Sequence, residues 1–592
     1  MLRTHTCGEL TRDHLGQTVS LTGWVDTRRD LGGVFFIDLR DRYGLTQLNI
    51  DPSKVQASEL RNEWVIRVEG IVKGRPEAMV NSNLTTGAIE VEVTRLDVLS
   101  QSEPLPFEIN NEDVLASVKE GLRLEYRFLD LRRPKLQQML KTKDELFTHL
   151  RQYFHARGFV EIQTPILANS SPEGARDFLI PSRLYPGECY ALPQAPQQFK
   201  QLLMVGGVDR YFQIAPCFRD EDTRNDRHYG EFYQFDMEMS FVGQEDIFEI
   251  MEPVMKEITE KFSSKEMIGL EPNGRFRRLA WREAMERYGS DKPDLRYSLE
   301  ITNVSGILTA SGFEHFDNAI AGGGVVHALR IPKAGSFSRK VTDELKEIAS
   351  RKKIAAFATV SLDENGTPKT SLSKFISDDT IATLVSTVKA QPDDLLVLVA
   401  GAWREVCESL GAVRKDCAVR LNLLDSSKAA WCWIVDFPMY DYSDITPDKI
   451  DFGHNPFSMP QGGHEAIDTK DPLDILAYQY DLVLNGFEIS SGGVRNHDPE
   501  LLVKVFAKAG YPADEVERRF GALIRAFRYG VPPHAGNAPG VDRLLMVLND
   551  WESIRDMYAF PKDGQGRDVL MGSPSPVDQG QIDELGLTFK KK

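Results

Sequence analysis

The sequence predicts a multidomain α+β protein: a small N-terminal β-barrel, a sheet-based body, and a second α+β unit inserted into that body. Three observations predict it. The chain has 592 residues, too many for a single core. Its first hundred residues hold five short strand-like stretches in a three-plus-two order. Aromatic strand sequence then runs to about residue 290, gives way to alternating helices and strands, and resumes at "WCWIVDFPMYDY".

The barrel comes first. "TVSLTGWVDTRRD", "GVFFIDLRD" and "GLTQLNID" are strand-like runs rich in apolar and β-branched residues, bounded by turn residues. "SKVQASELRNEW" follows as an expected helix, and "WVIRVEGIVKG" and "AIEVEVTRLDVLS" complete the set. Three strands, a helix and two strands is the order of an OB-fold, a barrel that often binds oligonucleotides. Arg29, Phe36 and Gln47 place a cation, an aromatic and an amide on or near the central strands. Those side chains stack on unpaired bases and hydrogen-bond to them. The domain is placed at 1–105, with a linker or hinge at 106–135.

The body opens with helical sequence to about Gly158, then "GFVEIQTPIL", and continues as mixed helix and strand to 291. From 292 to 427 the elements shorten into a βαβ-like unit: "GVVHALRIP", the helix "VTDELKEIASRK", "IAAFATVSL", a helix near "DDTIATLVSTVKA", "DLLVLVAG" and a helix through "AWREVCESLGAV". This unit shows no obvious catalytic cluster. Residues 428–592 resume the earlier style and finish the body.

Hydrophobic content of 41% and charged content of 27% describe a soluble globular chain. Six cysteines at 7, 189, 217, 407, 417 and 432 form no CxxC pair, which argues against a disulfide framework or structural zinc. "MLRTHTCGEL" has no apolar core of a signal peptide, and no run reaches membrane-span length. A reducing cytoplasm is the expected setting. The formal net charge of −17 disfavours a nucleic-acid partner in bulk, although phosphate binding depends on local patches. Arg123, Arg127, Arg132, Arg133, Lys135, Lys141 and Lys143 read as one such patch.

One segment is chemically conspicuous. "CFRDEDTRNDRHYGEF" crowds arginines and carboxylates between "RYFQIAPCF" and "EFYQFDMEMSF", a hairpin whose strands belong to a core. Arg219 lies inside its first strand, where a guanidinium calls for an anion.

Three further segments join it: "SPEGARDFLIPS" with "YALPQAPQQFKQLLM", then "YDLVLNGFEISSGGVR", then "GVPPHAGNAPGVDRLLMVL". In this order they resemble the class II aminoacyl-tRNA synthetases, in their bacterial aspartyl branch, over essentially the whole chain. The resemblance implies an anticodon-binding barrel, an antiparallel-sheet catalytic core and the inserted domain of the bacterial type. It implies ATP as substrate, Mg²⁺, L-aspartate, and tRNA(Asp) as acceptor, with tRNA(Asn) as the alternative second acceptor. A homodimer is implied too, because "GFVEIQTPIL", ending near Pro165, is similar to the segment that packs across a two-fold axis.

Residue by residue, Arg219 looks like the α-phosphate clamp, with Asp220 beside it and Glu221 reaching the adenine side. Arg543 in "GVDR" resembles the arginine on the far phosphates, and Gly540, Val541 and Asp542 line the same nucleotide. Asp481 and Glu488 would bind Mg²⁺ if the intervening strand bends. Lys200 and Arg495 match the two cations for the substrate's side-chain carboxylate, with Asp236 holding Lys200. Glu173 and Gln197 would receive the ammonium, and His454 would close over the substrate.

Two departures stand out. "RHYGEF" is one residue longer than the usual pattern and lacks its proline, so His228 stands where relatives have an ATP-contacting glutamine. Asn455 replaces the second histidine before "PF". Arg29, Leu31, Phe36, Gln47, Ala78 and Glu90 are placed on the anticodon. Leu31 favours charging tRNA(Asp) alone, while Ala78 points the other way. Rival readings are an asparaginyl or lysyl relative, which the two cations and the insert disfavour, and a silent RNA-binding scaffold.

Overall fold

The computed structural model describes residues 2–31, 33–170, 175–443 and 449–590. Glu173 lies outside the described residues. The chain forms two compact units, Met1–Lys143 with Tyr558–Ser575, and Asp144–Met557 with Pro576–Lys592.

The first unit holds a closed barrel of β1 (Thr18–Leu31), β2 (Val34–Asp41), β3 (Gly44–Ile50), β4 (Val65–Gly74) and β5 (Ile89–Ser100), ordered β1-β2-β3-β5-β4. Alternation puts Phe35, Ile37, Leu39, Leu48 and Ile50 inside and leaves Phe36, Asp38, Gln47 and Asn49 on the outer face. The expected helix between β3 and β4 is absent; residues 51–64 run as turns. Asp51 accepts from the backbone and hydroxyl of Ser53, a local bond that competes with helix. Val55, Ala57, Leu60 and Trp64 instead plug the barrel core.

The four arginines of the basic run are engaged inside the unit. Arg127 is almost fully buried, donating to Asp130 and to the carbonyls of Tyr558 and Ala559. Arg123 and Arg133 converge on the same Asp130, and Arg132 pairs with Glu63. These arginines hold the unit together internally rather than forming an open phosphate patch.

In the second unit, α1 (Gln197–Val205) leads to β6 (Arg210–Arg219), β7 (Gly230–Ser240), α2 (Gln244–Phe262) and α3 (Trp281–Tyr288). The smaller sheet follows with β8 (Val325–Ile331), α4 (Arg339–Ala349), β9 (Ala356–Leu362), β10 (Leu395–Gly401) and α5 (Trp403–Arg420). The large sheet resumes with β11 (Lys428–Pro438), β12 (Leu476–Leu484), β13 (Phe487–Val494), β14 (His534–Pro539) and α6 (Val541–Leu548).

The large sheet runs β11-β12-β13-β14-β7-β6 with every neighbour antiparallel, flanked by the short parallel strands Val160–Glu161, Glu266–Ile268 and Arg277–Ala280. α2 covers one face: Phe248 stacks on Trp433 at 4.2 Å, and Trp433 and Trp431 donate to Glu252 and Thr259. The aromatic strand "WCWIVDFP" therefore packs on both sides. In the smaller sheet, β10 lies between β8 and β9 and antiparallel to both. The βαβ-like pattern is thus a split unit, with β8 and β9 parallel to each other across β10.

Candidate active site

Cross-strand partners share a face of a sheet. The register aligns Gln213 with Asp236, Tyr211 and Gly536 with Glu238, Gly493 with Gly536 and Gln479, and Ser491 with Asp481 and Ala538. These positions form a polar, small-residue face opposite α2. The carboxylates and glycines found in the sequence gather here because of strand parity.

Two cations and two carboxylates make its deepest part. Lys200, one turn into α1, donates to Asp236 Oδ2 at 2.9 Å and lies 3.3 Å from Glu238 Oε2. Arg495, just past β13, gives Nε and Nη2 to Glu238 at 2.8 and 3.2 Å. All four side chains are at most 3% exposed. Burial pushes Asp236 above its usual carboxylate range although Lys200 opposes this. Burial acts on Glu238 likewise, but Arg495 and Lys200 outweigh it and hold that carboxyl below its ordinary value. Asp236 Oδ1 is buried with no hydrogen bond. Arg495 Nη1 lies toward Gly493, 3.7 Å from where a Cβ on that glycine would sit. Glu238, which the sequence reading missed, is the hub of this quartet.

Gln197 is oriented by a relay. His534 Nδ1 sits 2.9 Å from the carbonyl of Pro532, Gln201 Nε2 is 3.1 Å from His534 Nε2, and Gln197 Nε2 donates to Gln201 Oε1 at 3.1 Å. Burial lowers His534 to about 4, so the ring is neutral: Nδ1–H donates and Nε2 accepts. The relay spends the Gln197 amide nitrogen and keeps its oxygen to accept from a cationic ligand.

Asp481 and Glu488 meet differently from expected. No single strand bends between them; they lie on the paired strands β12 and β13 of a hairpin turning at Asn485 and Gly486. The register slips between Leu482 and Val483, so Glu488 faces Val483 and shares the face of Asp481. A bulge re-aims a side chain in this way. Asp481 is 3% exposed, and its Oδ1 has no hydrogen bond. Burial, then Glu488 and Asp291, drive its carboxyl well above the usual range. Asp291 and Lys292, which the sequence reading left out, complete the cluster: Lys292 Nζ lies 3.0 Å from Asp291 and 3.7 Å from Glu488 Oε2. Among the described residues no three His, Cys, Asp or Glu side chains are grouped so that they could hold a metal ion by themselves. A buried carboxylate oxygen of Asp481 without a hydrogen bond, with Glu488 on the same face, suits a hard divalent cation only where its other ligands come from elsewhere, such as a phosphate.

The hairpin tip lies beyond Arg219, which pairs with Gly230 at the end of β6. Arg219 donates to the carbonyl of Gln194 at 3.4 Å and lies over the Phe232 ring at 5.1 Å. Among the described residues no carboxylate holds it in an ion pair. Glu221 pairs with Arg227, and Asp220 accepts from Tyr229. His228 is buried with Nδ1 2.9 Å from the carbonyl of Glu231. Arg543, in the first turn of α6, donates to the carbonyl of Glu488 at 2.8 Å and lies 3.8 Å from Asp226. Gly540 caps α6 and its N–H donates to the carbonyl of Ile489. The side chains of Val541 and Asp542 are buried. A Cβ on Gly540 would meet nothing closer than 3.8 Å, so the protein itself does not require glycine there. His454 is exposed, edge-on to Phe437 at 4.6 Å.

On the barrel's outer face, Arg29 donates to Asp38 and Gln47, while Gln47 and Asn49 donate to Glu90 at 2.8 Å. Phe36 lies between Arg29 and Asn49 in register. Leu31, at the end of β1, and Ala78, in the short helix Glu77–Met79, are exposed.

Comparison with known proteins gives the family. The family profile described as tRNA synthetases class II (D, K and N) matches residues 119–564, and the OB-fold nucleic acid binding domain matches 19–99. The aspartate–tRNA ligase of Streptomyces avermitilis is 48% identical over 592 residues, covering 100% of this chain and 99% of that one. The aspartate–tRNA(Asp/Asn) ligase of Chlorobium chlorochromatii is 49% identical over 589 residues, covering 99% and 96%. The asparaginyl-tRNA synthetase of Pyrococcus horikoshii with asparaginyl-adenylate shares the fold at TM-score 0.57 and 19% identity, over 95% of this chain and 98% of that one. The chain belongs to the class II aminoacyl-tRNA synthetases and, within them, to the aspartate–tRNA ligase family.

Proposed function

We propose that this enzyme joins L-aspartate to ATP as aspartyl-adenylate and passes the aspartyl group to tRNA(Asp), with the residue roles that follow. One observation carries the reading: Lys200 and Arg495, buried side by side, offer an incoming side-chain carboxylate the third hydrogen of an ammonium and one arm of a guanidinium. Asparagine brings no charge to that point, so discrimination rests on a charge-assisted pair. Gln197 Oε1 and Glu173 accept from the substrate ammonium, and His454 closes the mouth. Asp236 and Glu238 hold the cations and keep the quartet neutral until substrate enters.

In the first step an α-carboxylate oxygen attacks the α-phosphorus of ATP, and the bond to the bridging oxygen breaks, releasing pyrophosphate. The protein contributes position and charge neutralisation rather than a nucleophile. Arg219, free of any described carboxylate, takes the α-phosphate; Arg543 takes the far phosphates. Asp220, Glu221 and His228 shape the adenine side, and Gly540, Val541 and Asp542 present backbone to the nucleotide. Asp481 and Glu488 would hold Mg²⁺, which when bound neutralises phosphate charge. In the second step a terminal ribose hydroxyl of the tRNA attacks the aspartyl carbonyl and AMP leaves.

The barrel's outer face reads the anticodon through Arg29, Phe36, Gln47 and Glu90, with Asp38 and Asn49 fixing their orientation. Leu31, exposed and apolar, offers no hydrogen bond to the last anticodon base, and on this ground the enzyme charges tRNA(Asp) and not tRNA(Asn). Relatives of near-equal identity carry either name, so aminoacylation of the two tRNAs side by side is the test. Equal rates within a few-fold would assign the relaxed activity. Residues 292–427 are an inserted domain between the core segments 136–291 and 428–592, with the barrel at 1–105 and a hinge at 106–135. A homodimer is proposed from the exposed Val160, Ile166 and Leu167 beside Pro165; light scattering should give twice 66.8 kDa. A cytoplasmic setting suits six free thiols, and no described helix is long and apolar enough to cross a membrane.

ATP–pyrophosphate exchange dependent on L-aspartate tests the whole reading. Lys200→Leu should reduce exchange by about a hundredfold or more, since unpairing a buried carboxylate costs about 2–5 kcal/mol, while ATP binding persists. Near-wild-type exchange in that variant would refute the pocket.

A further inference from the structure

The strap after α3, residues 289–299, joins the smaller sheet unit to the Asp481–Glu488 cluster. Gly289 ends α3 in the left-handed region, φ 68°, and is pressed against Gly411 of α5. A Cβ on Gly289 would lie 2.2 Å from the Cys407 carbonyl oxygen, and one on Gly411 would lie 2.2 Å from the Gly289 carbonyl oxygen. Two bare backbones are needed for that crossing.

Three residues along α5 from Gly411, Arg414 is 3% exposed and donates to the carbonyls of Asp294, Tyr297 and Leu299 at 2.8, 3.0 and 2.6 Å, and to the Tyr297 hydroxyl at 3.0 Å. At the far side the strap rests on the β12–β13 turn, where a Cβ on Gly486 would come within 3.2 Å of Asp294 Cβ. Between the Gly289–Gly411 crossing and Asp294, which is held by both Arg414 and the turn, the strap carries Lys292, whose ammonium sits 3.7 Å from Glu488. A helix of the inserted unit thus sets where one cation meets a carboxylate of the phosphate site.

We propose that Lys292 is a positioning residue for this site, and that the inserted unit, through Arg414 and Gly411, holds it there. The Lys292 ammonium holds a place beside the Glu488 carboxylate and neutralises it there, and a divalent cation would compete with it for that carboxylate. The inference rests on the reading of Asp481 and Glu488 as the divalent-cation ligands. It gives the inserted unit a local task in adenylation that its own sheet, which has no catalytic cluster among its described residues, does not suggest.

The test is binding of Mn²⁺ alone, followed by electron paramagnetic resonance, with exchange activity as a second readout. Removing a competing cation should tighten binding, so Lys292→Met should bind Mn²⁺ about five-fold or more tightly than the wild type. Lys292→Arg, which keeps the charge, should stay near the wild type. Arg414→Met should shift Mn²⁺ affinity in the same direction as Lys292→Met, with melting curves confirming a folded chain. Should it not fold, Arg414→Lys, which keeps the charge but cannot reach all three carbonyls, takes its place. Wild-type affinity in Lys292→Met, with binding lost in Glu488→Gln, would overturn the role of Lys292 and leave the metal reading standing. Undiminished binding in Glu488→Gln would overturn the metal reading itself. Wild-type affinity in a folded Arg414 variant would sever the inserted unit from the site.

Discussion

At the residue scale, the buried quartet shows what charge counting in a sequence can and cannot reach. Lys200, Arg495 and Asp236 were legible from their motifs, and two cations against one carboxylate leave one positive charge unbalanced in a buried place. The missing partner was in view: Glu238 follows Asp236 by two residues in "FDMEM", and period-two alternation puts both on one face. The sequence could not say that Arg495, just past β13, would choose Glu238. Glu238→Gln keeps the shape but removes the charge that Arg495 and Lys200 share. Breaking a buried pair costs about 3–5 kcal/mol, and the freed cations would then bind any anion present. Exchange with L-aspartate should fall by about a hundredfold or more, with a lower unfolding midpoint. Wild-type values for both would mean that the quartet is not the pocket's support.

At the scale of elements, strand parity and close approach decided what motifs alone left open. Asp481 and Glu488 are seven apart, which on a regular hairpin does not guarantee a common face. The bulge at Leu482–Val483 supplies it, and bulges have no reliable signature in a single sequence. Barrel strands are legible from their runs of apolar and β-branched residues, whereas the helical propensity of residues 53–64 is overridden by local Asx bonding and core plugging. Lys292 escapes sequence reading because it stands between the end of α3 and the first strand of the smaller sheet, where only the fold shows that the strap turns back. Glycines mark the tightest approaches. Gly536 on β14 lies under Glu238: a Cβ there would stand 1.9 Å from Glu238 Oε2 and 2.3 Å from the Met237 carbonyl. Gly536→Ala must therefore push the Glu238 carboxylate off Arg495 or pry β14 from β7. Overpacking of this kind costs about 1–3 kcal/mol, and the aspartate KM should rise more than the ATP KM. Equal KM values in variant and wild type would show that the carboxylate is not held by that contact.

At the scale of the whole molecule, stability toward acid depends on buried groups both inside the site and far from it. His327 on β8 is 1% exposed, its Nε2 has no hydrogen bond, and its Nδ1 is 3.9 Å from Cys407 Sγ. Burial lowers it to about 4, with Glu286 opposing only weakly, and burial raises the Cys407 thiol to about 12, so both groups are neutral in the native protein. An unfolded histidine takes up its proton near 6.5. Between about pH 6.5 and 4 the unfolded chain therefore binds a proton that the native chain refuses, and stability falls as pH falls through that window. His534 adds the same sign, also from about 4, whereas Asp236 and Asp481, raised by burial, act in the opposite direction. The total pH dependence mixes these contributions, but a single replacement isolates one of them. His327→Met fills a similar volume without a titrating group. Comparing urea unfolding at about pH 7.5 and 5, the wild type should lose about 2 kcal/mol more than this variant. Replacing His327, which sits on β8 of the smaller sheet, should leave exchange activity and its Mn²⁺ dependence unmoved. Equal losses in the two proteins would place the His327 proton uptake in the native state and remove acid sensitivity from the smaller sheet.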